Sequence, residues 1–333
     1  MNNQVQAIQG ISRPTMKDVA SRAGVALKTV SRVVNGEPGV TPETTKRVLG
    51  AIQDLGFRRN ESARLLRTGR TATLGYIAEN WADRESAALG RGVEEVAREH
   101  GFLLFTGSTD SDPAREEQLT LSLCARRVDG LIIVPTPGDH AYLRSEIEAG
   151  IAAVFVLRPP VTMDADTALV DEHGAARAGV EHLIAQGHRR IGFLGGDHSA
   201  YRSRQLLGGY SEAMAKAGLP VDEAWTSLTP EGLLNSAVTA VFCASRDYTA
   251  LALRTLGPTG GSRRMAVVGF GAFDMAEHLA PRLTVVSYDP AEVGRAAAEL
   301  LFGRLDGYSG PDRKVQIPAT LVARGSAEFP PAD

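Results

Sequence analysis

The sequence predicts a multidomain chain: a small all-α unit at the N-terminus, then a larger α/β body built from parallel sheets. Three observations predict it. At 333 residues the chain is too long for one domain of ordinary size. Residues 15–56 hold three short helix patterns separated by glycines. From Thr73 onward, short apolar runs alternate with helical stretches, which is the pattern of a doubly wound parallel fold.

In chain order, residues 1–12 are polar and expected to be disordered. Thr15-Met-Lys-Asp18 is a capping-box pattern, with Val19, Ala20 and Ala23 at helical spacing behind it and Gly24 as the stop. A second short helix is expected over Leu27–Val34, with Val30, Val33 and Val34 facing inward. Two short helices across a tight glycine turn make a helix-turn-helix. Thr41 and Pro42 open a third helix, with Val48, Leu49, Ile52 and Leu55 as its apolar stripe and Gly56 as its end. Charge separates the two parts of the chain. Residues 1–70 carry twelve Lys/Arg against five Asp/Glu, a net of +7, and the remainder carries a net of −10. A basic end on an acidic body suggests a polyanionic partner for the N-terminal unit.

The run from Thr15 to Asn35, with Val40-Thr-Pro-Glu-Thr44, Leu55-Gly-Phe57 and Asn60 to Gly69, resembles the headpiece signature of the LacI/GalR family of transcriptional repressors. In a helix-turn-helix the second helix lies in the major groove, which places the outward residues Leu27, Lys28 and Arg32 at base edges. Arg32 can donate a bidentate pair to guanine, Lys28 can donate to guanine or phosphate, and Leu27 offers apolar contact to a thymine methyl. Thr15, Thr29, Ser31 and Asn35 are candidate phosphate contacts. The resemblance implies that the positions of Leu27 and Lys28 set operator preference. It also implies a Ser or Thr cap where this chain has Ala26.

Asn60 to Gly69 has a cap, good helix formers and a glycine stop, but is too short to be a stable helix alone. The resemblance implies a hinge helix over residues 60–70 that forms when two copies pair on DNA. Leu66 would then wedge into the minor groove, with Asn60, Arg64 and Arg67 at the backbone. The headpiece is thus expected over residues 13–59 and the body over residues 71–333.

The body contains strand-like runs at Leu74–Ala78, Phe102–Phe105, Gly130–Val134, Ala152–Leu157, Ile191–Leu194, Val238–Phe242, Ala266–Gly269 and Leu283–Val286. They suggest two Rossmann-like lobes with a cleft between them, a two-lobed periplasmic-binding-protein-like domain that would take a small-molecule effector and form a homodimer. Ser86, Arg202, Arg204, Arg246, Asp247 and Gly271 are the candidate effector contacts. Several cleft positions depart from the family pattern. Asp83-Arg-Glu-Ser86 replaces an Asn-Pro-Phe-Phe-like run, Leu206 stands where an arginine is usual, Arg246-Asp247 replaces Asn-Asp, and Gly271 replaces Asp. These changes remove the standard saccharide geometry: an anionic or otherwise unusual effector would suit Arg246, and the alternative is a cleft that has lost small-molecule control. The segment from Leu219 to Ser236 is shorter than the family norm, which implies a missing helix.

Cys124 and Cys243 fit neither a zinc spacing nor a disulfide framework, so buried free thiols are expected. Met1 to Gly10 lacks the apolar core of a signal peptide, and no apolar run is long enough to span a membrane, so a cytoplasmic protein is expected. No cofactor or metal is expected. An enzyme is disfavoured: Gly269-Phe-Gly271 falls short of a dinucleotide fingerprint, and no HExxH or phosphate-cradling loop occurs.

Overall fold

The structure, a computed structural model, describes residues 14–58, 70–257, 265–273 and 275–331. The chain divides into two compact units, Met1–Thr71 and Ala72–Asp333.

The first unit holds helices α1 (Met16–Ala23), α2 (Leu27–Asn35) and α3 (Pro42–Leu55). The Thr15 capping box forms as expected: the Asp18 amide reaches the Thr15 hydroxyl at 3.4 Å, and the Thr15 amide and hydroxyl both donate to Asp18 at 2.7 Å. Those bonds hold the Asp18 carboxyl below its usual range. Gly24, Gly36 and Gly56 end the three helices in the left-handed region, with φ of 64, 68 and 60°. Val19, Ala20, Ala23, Val30, Val48 and Ala51 form the core. One position differs from the sequence reading. Leu49 is 53% exposed, and Ala51 takes the inward place. Leu49 sits 100° round the helix from Val48, just beyond the stripe that Val48, Ala51, Ile52 and Leu55 make.

Ala26 makes no side-chain cap on α2. Ala26→Ser is expected to stabilise this unit by about 1 kcal/mol. The check is slower hydrogen exchange of α2 amides in the full-length protein.

The second unit has two lobes. Lobe 1 carries a six-stranded sheet in the order β10-β5-β4-β3-β1-β2, made of β1 (Thr73–Ala78), β2 (Leu103–Ser108), β3 (Gly130–Ile133), β4 (Ala152–Val156), β5 (Asp166–Val170) and β10 (Lys314–Ile317). Lobe 2 carries β11-β9-β8-β7-β6, made of β6 (Ile191–Leu194), β7 (Ala240–Cys243), β8 (Ala266–Phe270), β9 (Thr284–Ser287) and β11 (Thr320–Val322). All pairs are parallel except β9–β11. The chain crosses between lobes three times: after β5, after β9 and after β10. The eight strands expected from sequence are present within a few residues of their expected ends. β5, β10 and β11 were not foreseen, because β5 opens on an acid and the other two are short and carry polar residues.

Helices flank both sheets. In lobe 1 they are α4 (Arg84–Glu99), α5 (Pro113–Ala125), α6 (Arg144–Glu148) and, returning after β9, α12 (Pro290–Leu305). In lobe 2 they begin with α7 (Glu172–Ala185) and α8 (Tyr201–Lys216). The expectation of a missing helix between Leu219 and Ser236 is corrected. Two single-turn helices, α9 (Glu223–Thr226) and α10 (Gly232–Asn235), fill that stretch, because Asp222 caps the first and Leu233 is buried beneath the second. Helix α11 (Arg246–Leu256) follows β7.

Two helix pairs meet backbone to backbone. A Cβ at Gly92 would lie 2.0 Å from the Ala291 carbonyl oxygen, and one at Gly209 would lie 2.0 Å from that of His173. Glycine there lets α4 meet α12, and α7 meet α8, at closest approach.

Two buried carboxylates tie distant segments of lobe 1 together. Asp166 accepts from Arg304 Nη2 at 2.7 Å and from the Arg313 amide at 2.8 Å, joining β5, α12 and the start of β10. Glu116, on α5, accepts from the Thr136 amide at 2.5 Å and the Tyr142 hydroxyl at 3.0 Å, and lies 3.1 Å from His140 Nε2. The Val161 amide donates to His140 Nδ1 at 3.1 Å, which leaves Nε2 as the protonated nitrogen facing Glu116. Cys124 and Cys243 are buried free thiols, and desolvation pushes them up to about 11 and about 12.

Candidate functional site

The first unit presents α2 as its polar face. Val30 is fully buried, while Leu27 is 45% exposed and Lys28 is exposed. Thr29, Ser31, Arg32 and Asn35 are half-buried along the same helix. The Asn35 amide donates to Glu37 at 2.9 Å and to the Ser31 hydroxyl at 3.3 Å, so these polar groups form one cluster at the helix end. Thr15 is exposed, and its hydroxyl serves the capping box. The Arg32 guanidinium reaches back over Gly39.

Sequence reasoning counted Arg22 and Arg47 only as charge. Arg47 in fact donates to the carbonyls of Ala23 at 2.7 Å and Gly24 at 3.2 Å, pinning α3 to the turn before α2. Arg22 pairs with Asp54 at 3.0 Å. These bonds join α3 to α1 and to the turn that follows it. The expected hinge residues Asn60, Arg64, Leu66 and Arg67 lie outside the described residues.

In the second unit, a cavity of about 480 Å³ opens between the lobes. It lies at the carboxyl ends of the strands, where parallel sheets place ligands. Ser86, Arg202, Arg246, Asp247 and Gly271 line it, as expected. Arg204 does not: it is exposed, and its guanidinium donates to the Ser199 carbonyl. Two residues along a helix is a turn of about 200°, so Arg202 and Arg204 face opposite ways. Leu206, one turn further on, is fully buried in the core, and the guanidinium in the cleft comes from Arg202 instead. Gly271 has φ of 91°, a conformation unfavourable for any residue with a side chain.

The cleft arginines are already engaged. Arg202 Nη2 lies 2.8 Å and Nη1 3.4 Å from the two Glu85 oxygens, and Nε lies 2.7 Å from Glu172 Oε1. Arg246 Nη2 is 3.1 Å from Asp83 Oδ1. Asp83 therefore supplies a countercharge at Arg246, the position from which an anion was expected to be held. Sequence reading missed Glu85, Glu172 and Tyr288, whose hydroxyl bonds Glu85. Burial opposes the charge on Glu85, yet the Arg202 guanidinium and the Tyr288 hydroxyl hold its carboxyl below the usual range. Burial dominates at Glu172 and pushes it up, with Arg202 offsetting only part.

His182 and His188 are tied into the body by hydrogen bonds to other segments. His182 bonds Glu328 at 2.7 Å, and His188 bonds Thr239 at 2.9 Å and the Phe329 carbonyl at 3.0 Å. Among the described residues, no group of three or more His, Cys, Asp or Glu is arranged to hold a metal.

Residues 15–60 match the bacterial regulatory proteins of the lacI family. Residues 72–230 match the periplasmic binding proteins and sugar binding domain of the LacI family, and residues 180–327 a periplasmic binding protein-like domain. The chain is 34% identical to the HTH-type transcriptional regulator CelR of Thermobifida fusca, over 94% of this chain and 98% of that protein. It is 30% identical to the HTH-type transcriptional repressor PurR of Photobacterium profundum, over 94% and 98%. Among solved structures it resembles a complex of the transcriptional regulator CelR with cellobiose, at TM-score 0.67 and 31% identity, over 94% of this chain and all of that one. The lac repressor dimer bound to operator shares the fold at TM-score 0.80 and 24% identity, over 94% and 99%.

Proposed function

The chain belongs to the LacI family of bacterial regulatory proteins, and from that premise we infer that it is a sequence-specific transcriptional repressor, not an enzyme. It binds a palindromic operator in double-stranded DNA as a homodimer, and a small molecule in the interlobe cleft modulates that binding. The observation that carries this reading is the intact three-helix unit that presents Leu27, Lys28 and Arg32 along one helix. In the described residues no helix is long and apolar enough to cross a membrane, and we place the protein in the cytoplasm.

Within this reading, Leu27, Lys28 and Arg32 read bases, while Thr15, Thr29, Ser31 and Asn35 fix the register on phosphates. Asn60, Arg64 and Arg67 hold the backbone beside a Leu66 wedge. Ser86, Arg202, Arg246, Asp247 and Gly271 face the effector. The second copy packs on β2, the edge strand of lobe 1, where Leu103 is 70% and Phe105 47% exposed. An apolar open edge of this kind calls for a partner.

The test is operator selection from a random 20–24 bp library at one fixed salt concentration, since phosphate contacts make affinity strongly salt-dependent. A recovered palindrome supports the reading, and loss of any consensus sinks it. With the operator in hand, Arg32→Ala is expected to cost about 1–3 kcal/mol and to relax preference at one base pair. An equal loss on operator and random DNA would make Arg32 a phosphate contact instead.

A second reading keeps DNA binding but removes the effector, leaving control to a protein partner or to none. The ion pairs across the cleft favour it. Flat calorimetry against a broad metabolite panel, with operator binding intact, is its signature.

A further inference from the structure

The cleft already contains a bridge of the chain's own making. Arg202 lies in the first turn of α8 in lobe 2, and Glu85 lies in the first turn of α4 in lobe 1. Their two-pronged pairing, at 2.8 and 3.4 Å, spans the gap between lobes. Asp83, the cap of α4, and Arg246, the first residue of α11, add a second bridge at 3.1 Å. Both arginines come from lobe 2 and both acids from lobe 1, so opposite charges face each other across the gap. A two-pronged guanidinium–carboxylate pair is the strong and directional form of such a contact.

The same arginine has a second carboxylate within its own lobe. Arg202 Nε is 2.7 Å from Oε1 of Glu172, the first residue of α7. The Glu172 side chain is wholly buried, and its Oε2 has no hydrogen-bond partner among the described residues. A buried carboxylate oxygen without a donor is costly. Two carboxylates thus compete for one guanidinium, and the one that loses in this geometry is the buried one. The competition shows in their acidities, with the Glu172 carboxyl raised by burial and by the nearby Glu85 charge.

We propose that Arg202 is a two-position switch. Forked onto Glu85 it holds the lobes closed with no ligand bound, and when the lobes part it turns its fork onto Glu172, whose bare Oε2 is the landing place. The two positions exchange one satisfied carboxylate for another, so opening leaves no buried charge unpaired. A cleft ligand then acts by tipping this exchange rather than by supplying the bridge itself. This rests on the lobes being the sensing domain of a DNA-binding regulator.

The test is hydrogen exchange read by mass spectrometry on the ligand-free full-length protein, following peptides that cover residues 79–90 and 244–250. Glu85→Gln removes the cross-lobe position and is expected to raise exchange there about tenfold, through more frequent local opening. Glu172→Gln removes the open-state landing place and is expected to slow exchange in the same peptides. Raising the salt concentration should speed exchange more in the wild type than in Glu85→Gln, which keeps only the Asp83–Arg246 bridge, because partly exposed pairs are screened. Opposite shifts for the two variants support the switch. Shifts in one direction for both, or in neither, overturn it. Should Glu172→Gln fail to fold, Arg202→Lys decides, since an ammonium cannot fork: exchange as fast as in Glu85→Gln supports the switch, and wild-type exchange overturns it. Operator binding measured on the same preparations separates the two levels. Absent operator binding in the wild type sinks the reading beneath, while intact binding with unmoved exchange sinks only the switch.

Discussion

Leu103→Lys combined with Phe105→Lys is expected to give a folded monomer whose affinity for a palindromic operator falls by about 10²–10⁴-fold. That is the range lost when two linked contacts become one. The two side chains point the same way from β2, since strand residues alternate faces. They stand 70% and 47% exposed, so replacing them leaves no hole in the core. In a two-fold dimer the same patch meets its own copy, so each lysine faces like charge across the axis. Light scattering after gel filtration gives the mass, circular dichroism checks the fold, and anisotropy with a labelled operator gives the affinity. A dimer of wild-type strength would move the interface off β2.

Glu116→Ala is expected to destabilise the α/β body by about 3–5 kcal/mol, the cost of breaking a buried polar cluster by removing one member. Glu116 is 1% exposed and His140 is 1% exposed. Without the carboxylate, the Thr136 amide, the Tyr142 hydroxyl and His140 Nε2 lose their shared acceptor. Those donors belong to the chain between β3 and β4, so the loss falls on one wall of lobe 1. Burial alone works against the Glu116 charge, but hydrogen bonds from His140 and Thr136 outweigh it and hold the carboxyl below 4.5. A depressed acid contributes stability that is present above its unfolded value and is lost as pH falls through its folded value. Urea titrations between pH 7 and pH 3 should therefore show a shallower acid loss for Glu116→Gln than for wild type. Equal slopes would remove Glu116 from the acid response.

The local devices of the fold were legible in the sequence because they depend on near neighbours. Thr15 and Asp18, Thr41 and Pro42, and the three helix-ending glycines act within a few residues. The apolar strand runs could be read for the same reason. Asp166 could not: a strand that opens on an acid makes sense only once Arg304 and Arg313, far along the chain, supply its countercharge. The cleft divided the same way. Its residues could be named by position, and five of the six line the cavity. The pairing of Arg246 was not legible because its partner Asp83 lies 163 positions away. Glu172 was passed over because an acid at the first turn of a helix looks like ordinary dipole pairing. Leu206 drew attention as an arginine slot, but the helix delivers its guanidinium one turn earlier.

The three passages of the chain between its lobes bear on how this protein can be altered by recombination. Lobe 1 is assembled from two separate stretches of the gene, the strands up to β5 and the later α12 with β10. No single splice can exchange it, and a break after β5 would strip that sheet of its outer strand and the helix that covers it. The N-terminal unit is one continuous stretch ending near Thr71, so a single junction exchanges it whole. A lineage built this way can pair a DNA address with a new sensor in one event at that junction, whereas the two lobes of the sensor can only change together or residue by residue.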